Sequence, residues 1–222
     1  LRIVRSSAIL RRHLVLATLA LSGVPARAGS FVATVLDADK QPVPGAVVFV
    51  SEIPGKSFAP PAQPYVMDQV GKEFFPSVLP IVVGGSVSFP NHDAIHHHVY
   101  SLSPTKTFEL PLYKGRDAVP VKFPKVGVVK LGCEIHDWMR AVILVLQNPY
   151  FAVTDATGRA LIDGVPAGSE VELAVFHERL VGSVDDTRKK IRLSADGRDT
   201  YQWTLRLKPP SPKRPRARDP RS

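Results

Sequence analysis

The sequence predicts an all-β protein, a larger β-sandwich followed by a smaller one, on three observations. Apolar runs of strand length recur between clusters of Gly, Pro, Asp and Asn. No window keeps a 3.6-residue apolar period for three turns, so no amphipathic helix is expected. Beyond residue 150 the runs are short and evenly spaced, as the strands of a small sandwich are.

The two ends stand apart from that pattern. Residues 1–28 carry a basic start (Arg2, Arg5, Arg11, Arg12), the apolar stretch "HLVLATLALSGV" and then Ala26-Arg27-Ala28 before Gly29. This is the pattern of a cleaved secretory signal peptide. Its apolar run falls short of the roughly 20 residues of a membrane-spanning helix, so the expectation is an exported, periplasmic chain without stable membrane insertion. The last stretch, "PPSPKRPRARDPRS" at 209–222, combines Pro and Arg with no apolar period, the composition of a disordered basic tail.

Setting the ends aside changes the reading of the charge. The chain has 29 Lys and Arg against 20 Asp and Glu; five arginines lie in 1–28, and five basic residues lie in the tail with Asp219. Residues 29–208 therefore hold 19 basic and 19 acidic residues, a net charge of zero. No folded basic face interleaved with aromatics is offered to a nucleic acid. Nor does the chain carry an activated serine, a paired acid and base or a glycine-rich phosphate loop, so neither a hydrolase nor a nucleotide enzyme is expected.

Taken in order, "FVATVLDADKQPVPGAVVFVSEI" gives two strands around a turn at Asp37-Ala38-Asp39-Lys40 and Pro44-Gly45. "SVLPIVVGGSVSFPNHD" gives an apolar run, a break at Gly84-Gly85 and an alternating strand through Val87 and Phe89. "AIHHHVYS" reads as a strand, on which His96 and His98 share one face and His97 takes the other. "AVPVKFPKVGVVKLGCEIHDWMRAVILVLQ" supplies three more runs, and "YFAVTDATGRALIDGVPAGSEVELAVFHERL" the spaced strands of the smaller sandwich. The expected division is a first domain over 29–148 and a second over 149–208, with the packing of 29–66 open between the two.

Cysteine usage points to the chemistry. A single cysteine in an exported chain forms no internal disulfide, so Cys133 needs another role. It opens the stretch Cys133, His136, Met139, a C-x2-H-x2-M spacing on one tight loop between two strands. Thiolate, imidazole and thioether make a soft donor set that suits copper in both oxidation states, whereas zinc gains little from a thioether. A blue copper site needs two histidines, a cysteine and a long axial methionine. One more histidine is owed.

The segment "GGSVSFPNHDAIHHHVYS" resembles the strand and loop that carry the first copper histidine in cupredoxins, the small Greek-key β-sandwich family that includes plastocyanin, azurin and amicyanin. In that family the histidine is followed by a polar residue and then an apolar one; His97-His98-Val99 matches the order. The resemblance thus implies one type 1 site of His97, Cys133, His136 and Met139, with His98 in the place of the polar residue that steadies the cysteine sulfur. The short His136-to-Met139 interval is similar to amicyanin. "FELPLYKG", "GCEIHDWM" and "PYFAVTDATGRA" also resemble a longer bacterial group of cupredoxin-like proteins labelled methylamine-utilisation or plastocyanin-like. The implied function is non-enzymatic transfer of single electrons by a monomer that meets protein redox partners transiently. The rival readings are a copper carrier that hands the ion over, and an adhesion-type β-protein with a vestigial site. His92, His96 and His98 form a candidate second cluster of the kind that picks up metal adventitiously. Trp138 is either a shield for the metal edge or a packed aromatic, and His177 reads as structural.

Overall fold

The computed structural model describes residues 28–115, 119–194 and 198–210; most of the expected signal segment and the tail from 211 onward lie outside the described residues. The described residues begin with β1 (Ala28–Asp37) and β2 (Val47–Val50), followed by the short β3 (Tyr65–Val66), β4 (Asp68–Val70) and β5 (Glu73–Phe75). Next come β6 (Val78–Val82), β7 (Ser86–Ser88), β8 (His97–Ser103) and β9 (Lys106–Tyr113), then β10 (Val121–Lys122), β11 (Gly127–Gly132) and β12 (Arg140–Leu146). The remainder is β13 (Phe151–Val153), β14 (Arg159–Pro166), β15 (Glu170–Phe176), a single 3-10 turn at Val184–Thr187, β16 (Lys189–Arg192) and β17 (Arg198–Leu205). The all-β expectation holds.

A five-stranded sheet in the order β6-β12-β11-β8-β9 and a three-stranded sheet in the order β10-β7-β3 enclose one core. Strand alternation builds it: Val129, Leu131 and Cys133 face inward at and just beyond β11, as do Ala141, Ile143 and Val145 of β12. Both outer strands of the larger sheet contain a proline, Pro80 in β6 and Pro111 in β9, as suits positions where one side of the strand lacks a partner. Pro111 falls where the β8–β9 register shifts, between the pairs His97–Tyr113 and Val99–Leu110, so the strand bends next to His97.

A second core lies between the sheets β14-β1-β17 and β13-β2-β15-β16 and includes Phe31, Val48, Ile162, Leu173 and Trp203. Here β1 runs parallel to β17 from Ser30–Arg198 to Asp37–Leu205, and antiparallel to β14 on its other side. β2 pairs with β13 and β15. β1 and β2 thus pair with strands from Phe151 onward, while β3 pairs with β7 of the larger sandwich, so the stretch 29–66, whose packing the sequence left open, is shared between the two. An apolar run states which of its residues are buried but not which distant strand it joins.

The outward face of β12 joins the two units. Val142, Leu144 and Leu146 pack against Val47, Phe49, Ala174 and Phe176, so half of the larger sheet's outer face is sealed by an apolar seam. The other half is an open groove lined by His98, Tyr100, Glu109, Lys130 and Glu134. The Tyr100 ring end covers Gly132, where an added Cβ would sit 2.8 Å from its Cζ, so a larger residue there would displace the ring.

Candidate metal centre

Two segments at one end of the larger sheet meet to form the site. The first is the turn Asn91–His96 that leads into β8. Buried Asn91 shapes it, donating from Nδ2 to the carbonyls of Ile95 at 2.9 Å and Tyr113 at 3.1 Å, while its Oδ1 accepts the Asp93 amide at 2.9 Å. The second is the loop between β11 and β12, where the Met139 amide donates to the His136 carbonyl at 2.9 Å and folds the loop tightly on itself.

His97 is wholly buried at 0% exposure and faces the core side of β8; His98 faces the groove. The imidazole of His97 meets that of His136 edge to face, with centroids 5.0 Å apart. Cys133 is a free, buried cysteine, and its Sγ lies 3.7 Å from His136 Nδ1. One ligand atom from each of His97, Cys133 and His136 lies within 4.8 Å of the other two. Among the described residues this is the one group of three or more His, Cys, Asp or Glu side chains so placed. Met139 is buried at 1% in the same core cluster as Cys133.

The orientation of His97 follows from its partner. Its Nε2 lies 2.7 Å from Asp93 Oδ2, and Asp93 also accepts the amides of Gly71 at 2.6 Å and Lys72 at 2.7 Å. Burial pushes the Asp93 carboxyl up, but the hydrogen bonds from His97, Lys72 and Gly71 outweigh it and hold the group below its ordinary range. An ionised carboxylate only accepts, so Nε2 of His97 carries the proton. In the neutral ring this makes Nδ1 the acceptor, and it is buried without a protein partner. A buried polar atom left unpaired is costly and calls for an explanation. Beside a thiol and a second imidazole, a soft metal ion supplies one: the donor set fits copper.

The other histidines behave differently from one another. His98, also buried, engages Glu109 at 2.8 Å through Nε2, with Glu134 at 4.0 Å, and its Nδ1 too lacks a protein partner. Its Nε2 contact runs outward to Glu109, on the groove side of β8. His92 bonds Asp68 at 2.6 Å, and His96 is exposed ahead of β8, so His92, His96 and His98 are not gathered into a second cluster. Trp138 stands beside His136 with centroids 5.3 Å apart and donates from Nε1 to the Lys72 carbonyl at 3.1 Å. His177 is buried in the other unit, after β15.

Asp93 is the site residue that sequence reasoning missed. The one signal available was its place four residues before His97, and an Asp in a polar turn is too ordinary for that spacing to single it out.

Among solved structures the chain is similar to a reduced mutant of amicyanin, at 22% identity over 39% of this chain and 91% of that one, with a TM-score of 0.36. A Cu(I) form of another amicyanin mutant at pH 4 matches at 21% identity over 44% of this chain and 97% of that one, with a TM-score of 0.35. The copper-containing nitrite reductase of Thermus scotoductus matches at 26% identity over 53% of this chain and 28% of that one, with a TM-score of 0.37. No family model and no curated protein matches.

Proposed function

We propose that this chain is an exported copper protein that passes single electrons between partner proteins through one site made by His97, Cys133, His136 and Met139. The observation that carries the reading is the cluster of three ligand atoms within 4.8 Å of one another, one contributor being a fully buried histidine whose Nδ1 has no protein partner. Copper bound there would supply one-electron exchange between its two oxidation states.

The protein's own part is positional. Asp93 and the Asn91 turn hold His97 from one side; the tight Cys133–Met139 loop holds the other donors. A buried cysteine and methionine in the core wall keep water from the soft donors. With four protein donors the site leaves no position for a substrate, which supports transfer of electrons over catalysis. His136 is half-buried, with Trp138 and Ile135 exposed beside it, so the loop offers an edge through which a partner can approach. Encounters of this kind bury less than about 1,200 Å2. The reading includes a monomer, a periplasmic address and removal of residues 1–28, supported by the signal-like composition of that segment.

The test loads the protein and its Met139→Leu variant with copper, cycles both with an inert mediator, and measures copper retained against a competing chelator. An intense Cys-to-copper charge-transfer band, retention over many cycles and a shifted reduction potential in the variant are expected, because an axial thioether tunes the potential more than it holds the ion. Prompt loss of copper from the unmutated protein on reduction would replace this reading with that of a carrier. A colourless protein indifferent to copper would overturn both.

A further inference from the structure

We infer that Asp93 is the positioning residue of the metal centre: anchored on the turn between β4 and β5, it locks the His97 ring with Nδ1 free toward Cys133 and His136. The inference deepens the copper reading and rests on it for its consequence, though not for its geometry.

Three bonds converge on one carboxylate. Oδ1 accepts the Gly71 amide at 2.6 Å, and Oδ2 accepts both the Lys72 amide at 2.7 Å and His97 Nε2 at 2.7 Å. The turn can aim two consecutive amides at one group because Gly71 and Lys72 both hold positive φ, 65° and 62°. A non-glycine residue in that region is uncommon and marks a position set by its surroundings. The Lys72 carbonyl on the same turn accepts Nε1–H of Trp138, two residues beyond His136. One turn therefore braces both segments that bring donors to the site, Asp93 on the side of His97 and Trp138 on the side of His136.

A carboxylate behind a ligating imidazole fixes its orientation and raises its basicity, and loss of such a partner typically costs 10- to 100-fold in metal affinity. The negative charge also favours the higher oxidation state of a metal on the far side of the ring. The variants follow from the three bonds. Asp93→Ala removes the acceptor. Asp93→Asn keeps the shape and the packing of the turn but offers one neutral oxygen, so it retains either the Gly71 bond or the pair from Lys72 and His97.

The first measurement needs no metal. In 15N-labelled metal-free protein, long-range proton–nitrogen correlation of the His97 ring is expected to show the Nε2–H tautomer alone, and Asp93→Ala is expected to release it to a mixture. Cu(II) titration is then expected to show affinity lower by about 10- to 100-fold in Asp93→Ala, with Asp93→Asn between, and a raised reduction potential in both. A single Nε2–H tautomer in Asp93→Ala, or Cu(II) affinity within about twofold of the parent, would overturn the assignment. If Asp93→Ala does not fold, the comparison rests on Asp93→Asn, for which an unchanged potential and affinity overturn it equally. A parent protein that binds no copper would sink the function proposed above, and the tautomer measurement would still decide the role of Asp93.

Discussion

Replacing His177 with Phe should remove a specific acid sensitivity from the unit that packs against the metal-bearing sheet. His177 follows β15, is buried, accepts the Arg179 amide on Nδ1 at 3.2 Å and is hydrogen-bonded to the Pro44 backbone. Burial first, and the charge of Arg179 second, bring its pKa from 6.5 down to about 4; the bond to Pro44 opposes them. The sign follows from which state takes up the proton. Above pH 6.5 the ring is neutral whether the chain is folded or not, and it contributes no pH dependence. As the pH falls toward 4, the unfolded chain is protonated and the folded one is not, so stability is lost. The slope is about 1.4 kcal/mol per pH unit and the total about 3 kcal/mol, with nothing further lost below the folded pKa. Urea unfolding of metal-free protein between pH 4 and 7.5 measures this. A Trp138→Phe background leaves Trp203, in the core of the same unit, as the remaining tryptophan reporter. The quantity of interest is the stability of the parent minus that of the His177→Phe variant, in which the other histidines cancel. A difference that stays flat to within about 0.5 kcal/mol from pH 7 to pH 4 would refute the reasoning, since linkage then assigns His177 no shifted pKa.

Three further outcomes are expected. His97→Ala should abolish the charge-transfer colour of the copper-loaded protein while His98→Ala shifts it only slightly, because the two rings lie on opposite faces of β8; absorption spectra compare them, and the reverse order would mean that the wrong face has been assigned. Leu144→Ala should cost about 2 to 5 kcal/mol by emptying the seam between the units, and should separate one unfolding transition into two in calorimetry. Gly158→Ala should destabilise by about 1 to 3 kcal/mol, as its φ of 73° is unfavourable for alanine and a Cβ there would lie 2.5 Å from the Val35 carbonyl oxygen; a shift in the urea midpoint reports it.

What could be read in the chain depended on how locally it was written. Cys133, His136 and Met139 share one loop, so their spacing alone exposed a soft donor set. Strand parity separated His97 from His98, and the family resemblance chose between them; the structure puts the chosen one beside Cys133. Asp93 stayed hidden because its meaning depends on Gly71 and Lys72, which reach it only after the chain has turned back. The engagement of His98 by Glu109 was equally out of reach, since it is set by the register between β8 and β9. The all-β class was plain from run length and punctuation. The partners of β1 and β2 were not, because period 2 fixes a strand's faces and leaves its neighbours to the rest of the fold.

The pairing of β1 with β17 sets the order in which the molecule can be completed. The stretch from Tyr65 to Leu146 contains both of its sheets and its own core, and it can close as soon as β12 has emerged. β1 has no such freedom, for its parallel neighbour begins at Arg198. Until β14 and β17 are in place, the core-facing Phe31, Ala33 and Val35 of β1 lack the neighbours that bury them. The unit built on β1 is therefore the last part of the molecule that can close.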